Sequence, residues 1–278
     1  MPDNVLPRPV TVITGASSGI GRELARLAAR HDEVLLIARD RNNLEALAAE
    51  IGALGGTAHV LVCDLTLPGA VGAVTACLAN HGLHCERLVN NAGFGLVGEA
   101  HALDADEQLA SIDLNVRCLT ALTLAMLPAM IARRSGGILN VASVAAFLPG
   151  SGMAVYYATK AYVQSFSEGL WAEVRPHGVI VTSLCPGPVN TGFLARATGG
   201  KRHAEATFLH LNAARVAEEG WSGFLKGHLT VIPGRSNRWI IAITRFVPRQ
   251  WLALLVHRHQ SGRTAAATSA AAPAAARS

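Results

Sequence analysis

The sequence predicts an α/β fold, a Rossmann-like doubly wound parallel sheet of about seven strands with helices on both faces. Three observations predict it. Short β-branched apolar runs recur at Val10–Thr14, Val34–Ala38, Ala58–Val62, Arg87–Asn90, Gly137–Ala142, Val179–Cys185 and Leu229–Pro233, as expected of strands buried on both faces. Helical stripes separate them, such as Ile20, Leu24, Leu27 and Ala28, or Leu44, Leu47, Ala48 and Ile51. A glycine-rich turn joins the first run to the first stripe, where sheets of this class bind phosphate. Strand–helix alternation closes through right-handed crossovers into a parallel sheet.

Composition narrows the class. Half of the 278 residues are hydrophobic and 15% are charged, which excludes a disordered chain. We expect one dinucleotide-binding and catalytic domain over residues 1–261, including a basic apolar extension at 235–261. The tail, 262–278, is Ala-, Ser- and Thr-rich without apolar periodicity and is expected to be disordered. The five cysteines, Cys63, Cys77, Cys85, Cys118 and Cys185, lack CxxC spacing, so we expect reduced thiols, no metal site and a cytoplasmic protein. The first strand run starts at residue 10, so no signal peptide is expected. No apolar stretch reaches the roughly 18–20 residues of a membrane span; Cys118–Ala132 comes nearest.

Charge is unevenly spread. From Gly220 onward there are eight Lys or Arg and no Asp or Glu, although the whole chain is only +5. The basic character belongs to the C-terminal segment.

The first strand ends in Thr14-Gly15-Ala16-Ser17-Ser18-Gly19-Ile20-Gly21. Glycines let a phosphate approach the backbone, and the following helix start offers unpaired N–H groups. The same residues contain Gly15-x-Ser17-x-Gly19, a nucleophile-elbow pattern. That reading needs a late acid, and none follows Glu219. The second strand ends in Ala38-Arg39-Asp40. An acid there holds the ribose 2′-OH of NAD, whereas an Arg accommodates the 2′-phosphate of NADP. Ala38 and Arg39 favour NADP(H); Asp40 keeps NAD(H) open.

Tyr156 and Lys160 are four apart on a predicted helix and share one face. A nearby ammonium lowers a phenol's pKa toward the range useful for acid–base catalysis. Ser143 ends the preceding strand on the ligand-binding side of the sheet.

These motifs, with Asn90-Asn91-Ala92-Gly93, Asn115 and Pro186-Gly187, occur in the order and spacing of the short-chain dehydrogenase/reductase family. The chain resembles that family over roughly residues 8 to 234, in its shorter, single-domain branch. The stretch from Val231 to Arg249 is similar to a bacterial group whose substrates are mostly unassigned. The resemblance implies an NAD(P)(H)-dependent oxidoreductase interconverting an alcohol and a ketone or aldehyde. It makes Tyr156 the acid or base on the substrate oxygen. Lys160 lowers the Tyr156 pKa and binds the nicotinamide ribose, Ser143 polarises the carbonyl, and Asn115 holds a water that relays protons to Lys160. It places the dinucleotide on Gly15, Ser17, Ser18, Gly19, Ile20, Gly21 and Arg39. The adenine falls to Asp64 and Leu65, the cleft to Asn91, Ala92 and Gly93, and the nicotinamide to Pro186, Gly187, Val189 and Thr191. It also implies a homodimer or homotetramer, with the Cys118–Ala132 and Tyr156–Trp171 helices meeting a second subunit.

The segment from Pro188 to Leu211 is the expected lid over the substrate. Phe94, Phe147, Phe193, Leu194, Phe208 and Leu211 can line an apolar pocket or simply pack on the core, so a small lipophilic alcohol or ketone is the expected substrate. Trp, Arg and aliphatic residues in 235–261 suit peripheral contact with a membrane, and equally packing on the domain or a subunit contact. Basic residues interleaved with bulky apolar ones, without a recognition motif, speak against nucleic acid.

Overall fold

The structure is a computed structural model and describes residues 7–189, 211–244 and 246–258. Seven parallel strands form one sheet in the order β3-β2-β1-β4-β5-β6-β7. They are β1 (Arg8–Thr14), β2 (Glu33–Ala38), β3 (Ala58–Val62), β4 (Leu83–Asn90), β5 (Gly137–Val141), β6 (Ile180–Leu184) and β7 (Thr230–Val231). The helices are α1 (Gly19–Ala28), α2 (Arg41–Ala53), α3 (Ala70–Asn80), α4 (Ala105–Ile112), α5 (Leu119–Arg133), α6 (Ala154–Val174), α7 (Ala213–Leu225) and α8 (Arg235–Thr244). A further helical run, α9, covers 249–258.

The period-2 alternation of strand side chains builds two apolar layers. Val10, Val12, Leu35, Leu88 and Ile138 face one way, against Val74, Met126, Met130 and Leu170 from α3, α5 and α6. Ile13, Leu36, Val89, Leu139 and Leu184 face the other way, against Leu24, Leu44, Leu47, Trp221 and Phe224 from α1, α2 and α7. Strand order reverses between β1 and β4. Their carboxyl ends therefore open the crevice where sheets of this kind bind ligands.

Two strands, β4 and β7, differ most from expectation. β4 starts at Leu83, not Arg87, because the polar residues ahead of its apolar end are used at the opposite edge of the sheet. Arg87 reaches Asp32 at 2.7 Å and His84 lies 3.4 Å from Glu86. β7 is only Thr230–Val231. A π-helical turn over Asp113–Cys118 joins α4 to α5. The resulting run Ala105–Arg133 is long and apolar enough to cross a membrane by length and composition. Leu122, Met126 and Met130 from that run are packed in the core, while Leu109, Ile112 and Leu124 are exposed.

A buried polar chain ties β4 and β5 to the helices behind them. Asn90 Nδ2 donates to Asn140 Oδ1 at 2.9 Å and to Thr123 Oγ1 at 3.0 Å, and Asn140 Nδ2 donates to Ser167 Oγ at 2.9 Å. These contacts hold β4 and β5 in register with the helices, while Asn90 Oδ1 is buried without a hydrogen-bond partner among the described residues. Thr191, Phe193, Leu194, Phe208 and the 262–278 tail lie outside the described residues.

Candidate active site

The glycine turn is clamped from the side. Thr14 Oγ1 accepts from the N–H groups of Asn91 and Ala92, both at 3.0 Å, and donates to Val89 O. Asn91 Nδ2 donates back to Thr14 O at 2.9 Å and Gly15 O at 3.2 Å. Asn91 thus holds the turn in place with its side chain. Gly15 has φ +67°, and a Cβ there would lie 2.8 Å from Asn91 Nδ2. A Cβ on Gly21 would lie 2.3 Å from Gly15 O, so only glycine lets α1 begin this close to the turn. Ser18 is the N-cap of α1 but makes no side-chain capping bond, and the first turn holds no acid. The helix therefore offers side-chain-free N–H groups and its positive dipole end. These features fit the pyrophosphate of a dinucleotide. Ile20 packs its side chain on the core and Ser17 is partly buried, so Ile20 can meet a phosphate only through its backbone.

At the end of β2, Arg39 is more than half exposed, with its guanidinium 3.7 Å from Asp64. Asp40 does not turn inward. It caps α2, accepting from Asn43 N at 3.1 Å and Asn43 Nδ2 at 2.6 Å, and these bonds hold its carboxyl below the usual range. Burial works against ionisation of Asp64, but hydrogen bonds from the Thr66 hydroxyl and N–H, with Arg39 nearby, outweigh it and keep its pKa low. Leu65 and Val189 are buried in the two core layers. Their side chains are structural.

Ser143, Tyr156 and Lys160 come together past the end of β5. Ser143 caps a 3₁₀ turn (Val144–Phe147), accepting from Ala145 N at 3.1 Å, and it hydrogen-bonds the Tyr156 hydroxyl. The Tyr156 residue keeps a partly exposed edge, yet burial of its phenol pushes the pKa up to about 12 despite the bond from Ser143. Lys160 is buried. Its Nζ donates to Val141 O at 2.7 Å and lies 5.8 Å from the centroid of the Tyr156 ring. Desolvation pulls Lys160 down to about 8.

The expectation that Lys160 lowers the Tyr156 pKa is not met in this arrangement. The amine is engaged by a carbonyl and is itself short of solvation, and burial dominates the phenol. Asn115 is buried. Its Oδ1 accepts from Phe94 N at 3.0 Å, while Nδ2 donates to Phe94 O and Thr159 Oγ1. Its side chain clamps the Gly93–Phe94 turn, leaving Gly93 between Asn115 and Lys160.

A narrow cleft, with room for little more than a water, lies beside Tyr156, lined by Leu96, Leu103, Met153 and Val155 with Gln108 and Ser111. It is chiefly apolar. Phe94 and Phe147 do not line it. Phe94 is buried and Phe147 packs on Leu119, Val163 and Cys185. Three residues that the sequence does not announce complete the site. A Cβ on Gly95 would lie 2.6–2.9 Å from Tyr156 ring-side atoms, and one on Gly150 would lie 2.1 Å from the Tyr157 ring. Asn237 is buried, donates to Pro233 O at 2.9 Å, and backs Gly187, where a Cβ would meet it at 2.6 Å. The glycines signal only by the absence of a side chain, and Asn237 stands among other polar residues, Arg235, Ser236 and Arg238, with nothing in the sequence to set it apart.

The fold and this constellation define a dinucleotide-binding oxidoreductase. The short chain dehydrogenase profile matches residues 9–201, and the chain belongs to the short-chain dehydrogenase/reductase family. A fatty acyl-CoA reductase of Acinetobacter baylyi is 36% identical over 67% of this chain, which spans 64% of that relative's length. Sulfoacetaldehyde reductase 2 of Chromohalobacter salexigens is 34% identical over 90% of this chain and 98% of its own. Among solved structures, a short-chain dehydrogenase from Sphingobium yanoikuyae in complex with NADPH superposes with a TM-score of 0.76 at 31% identity, covering 97% of this chain and 98% of that one. The bulky-bulky ketone specific alcohol dehydrogenase of Comamonas testosteroni gives 0.71 at 26% identity, covering 98% of each chain. A Burkholderia phymatum relative in complex with NAD gives 0.73 at 26% identity, covering 86% and 92%.

Gly95→Ala puts a methyl against the Tyr156 ring without straining the backbone. It is expected to cost about a hundredfold in turnover while dinucleotide affinity, read by fluorescence titration, stays near wild type. Lys160 supplies a pH test. Its folded pKa of about 8 lies below its ordinary 10.5, so the unfolded chain binds more protons between those values. The contribution of Lys160 to stability therefore rises with pH across that window and is at its lowest below about pH 8. Lys160→Met should raise the Tm at pH 7, with the gain shrinking toward pH 10. Calorimetry across that range checks it, and a lower Tm at pH 7 would mean that the bond to Val141 O outweighs burial.

Proposed function

We propose that the chain is an NADP(H)-dependent oxidoreductase of lipophilic ketones and alcohols in which Tyr156 exchanges the proton of the substrate oxygen. The observation that carries this reading is the hydrogen bond between Ser143 and Tyr156, beside buried Lys160 and open to an apolar cleft. The dinucleotide, when bound, gives or takes the hydride.

The chain's own residues handle the oxygen. A phenol with a pKa of about 12 is protonated at neutral pH, the state required to donate to an oxygen gaining charge. Ser143 offers that oxygen a second hydrogen bond, already oriented by Ala145 N. Lys160, cationic below about pH 8, adds positive charge behind the phenol and is the candidate ligand of the nicotinamide ribose. Asn115 positions Gly93 and Phe94 along the cleft.

The cofactor preference rests on Arg39 and Asp40. Arg39 stands exposed where a 2′-phosphate is accommodated, and Asp40 is committed to capping α2. The NADPH-bound relative supports this choice, and the NAD-bound relative names its alternative. The lipophilic substrate class rests on the cleft lining and on relatives named for fatty acyl-CoA and bulky ketones. The sulfoacetaldehyde reductase supplies the polar counter-case. Free cysteines suit the cytoplasm. A second copy of the chain is the proposed cover for exposed Leu124 and Tyr162 on α5 and α6.

Tyr156→Phe is expected to abolish turnover of ketones while NADPH binding stays nearly intact. Full activity in that variant would remove the acid–base assignment. Arg39→Ala should lower the preference for NADPH over NADH by about tenfold to a hundredfold, the loss of one or two charge-assisted hydrogen bonds. Parallel absorbance assays with both dinucleotides on aliphatic, aromatic and sulfonated carbonyls read the preference and the substrate class together. Faster reduction of the sulfonated compound would replace the lipophilic assignment.

A further inference from the structure

We infer that α8 and α9, with 246–248 before α9, form an interfacial platform that seats the protein on an anionic lipid surface. The two helices each turn one small face to the protein. In α8 the buried residues are Asn237 and Ile241; in α9 it is Leu252. Ala253 and Val256 are half-buried, and the remaining apolar side chains are exposed. Trp239 is 71% exposed and Phe246, in the link, 88%. In α9 the exposed residues Trp251, Leu254, Leu255 and Arg258 follow the i, i+3, i+4, i+7 spacing of one helical stripe. Seven of the fourteen exposed large apolar side chains among the described residues fall in this segment. The exposure is therefore a concentrated feature and not the scatter normal for a protein surface.

Charge selects the occupant. The segment lies in the part of the chain that has eight Lys or Arg and no acid. Arg238 is paired with Glu219 at 3.2 Å, while Arg235, Arg249 and Arg258 have no ion pair among the described residues. A second copy of this segment would bring the same cations and no acid to the contact. An apolar stripe edged only by cations complements a boundary that is apolar within and uniformly negative at its face.

Placement gives the platform a use. Asn237 of α8 backs Gly187, and Ser151 Oγ sits 2.8 Å from His257 Nδ1 of α9. The helices are thus anchored to loops next to Ser143 and Met153, at the mouth of the Tyr156 cleft. A substrate dissolved in lipid would enter beside its own solvent. The docking itself does not depend on the proposed reaction.

The test is density-gradient flotation of the full-length protein with vesicles of phosphatidylglycerol and phosphatidylcholine in equal parts, against phosphatidylcholine alone. The protein is expected to float with the anionic vesicles, with a blue shift of tryptophan emission, and to stay at the bottom with the neutral ones. Raising salt until the Debye length falls to about 3 Å should release it. Trp251→Asp combined with Leu255→Asp should remove flotation at least about tenfold, with melting temperature and ketone turnover unchanged. Should that variant fail to fold, Arg249→Glu with Arg258→Glu, on exposed positions, should give about a tenfold loss. Wild-type protein left at the bottom with anionic vesicles overturns the proposal. So does light scattering in which the aspartate variant is a smaller particle than wild type, since the stripe then covers a second copy.

Discussion

Burial of a phenol against backbone is the constraint on which the site depends. Tyr156 lies against the Cα of Gly95, its hydroxyl meets Ser143, and Lys160 closes the far side while bonded to Val141 O. Each contact comes from a different element, so the arrangement exists only when β5, the β4 loop and α6 are packed in register. Burial keeps the proton on Tyr156 and withdraws solvation from Lys160. The two shifts have one cause and opposite directions, because burial disfavours an anion and a cation alike.

The dinucleotide side is held by the same economy of small residues and amide clamps. Thr14 and Asn91 lock the first turn to the end of β4, and Asn115 locks the next turn to α6 through Thr159. These amides act on the backbone that would meet the ligand. Substituting them would move the cradle and not merely subtract a contact, as supporting residues around a functional site do.

Much of this was legible in the sequence for physical reasons. Strands buried on both faces write themselves as continuous apolar runs, so all seven strands were found, and the glycine turn marked the end of β1. His84 and Glu86 hid the start of β4, because polar side chains engaged in edge ion pairs look like loop. Spacing placed Tyr156 beside Lys160, but sequence carries no measure of desolvation, and the sign of the phenol's shift came out opposite to expectation. Gly95, Gly150 and Asn237 were silent because their function is set by what folds against them. For Phe94 and Phe147 the sequence leaves pocket lining and core packing open, and among the described residues Phe94 is buried and Phe147 packs on the core.

The claim that bears the most weight is that Tyr156 keeps its proton at neutral pH in the free protein. Titrating the protein labelled with ¹³Cζ-tyrosine by NMR reads this directly, with Tyr157→Phe and Tyr162→Phe to assign the three signals. The account predicts a Tyr156 signal that stays neutral past pH 10 and moves only toward about 12. A signal that ionises near pH 7 to 8 would contradict it, and would return the lowering of the phenol to Lys160.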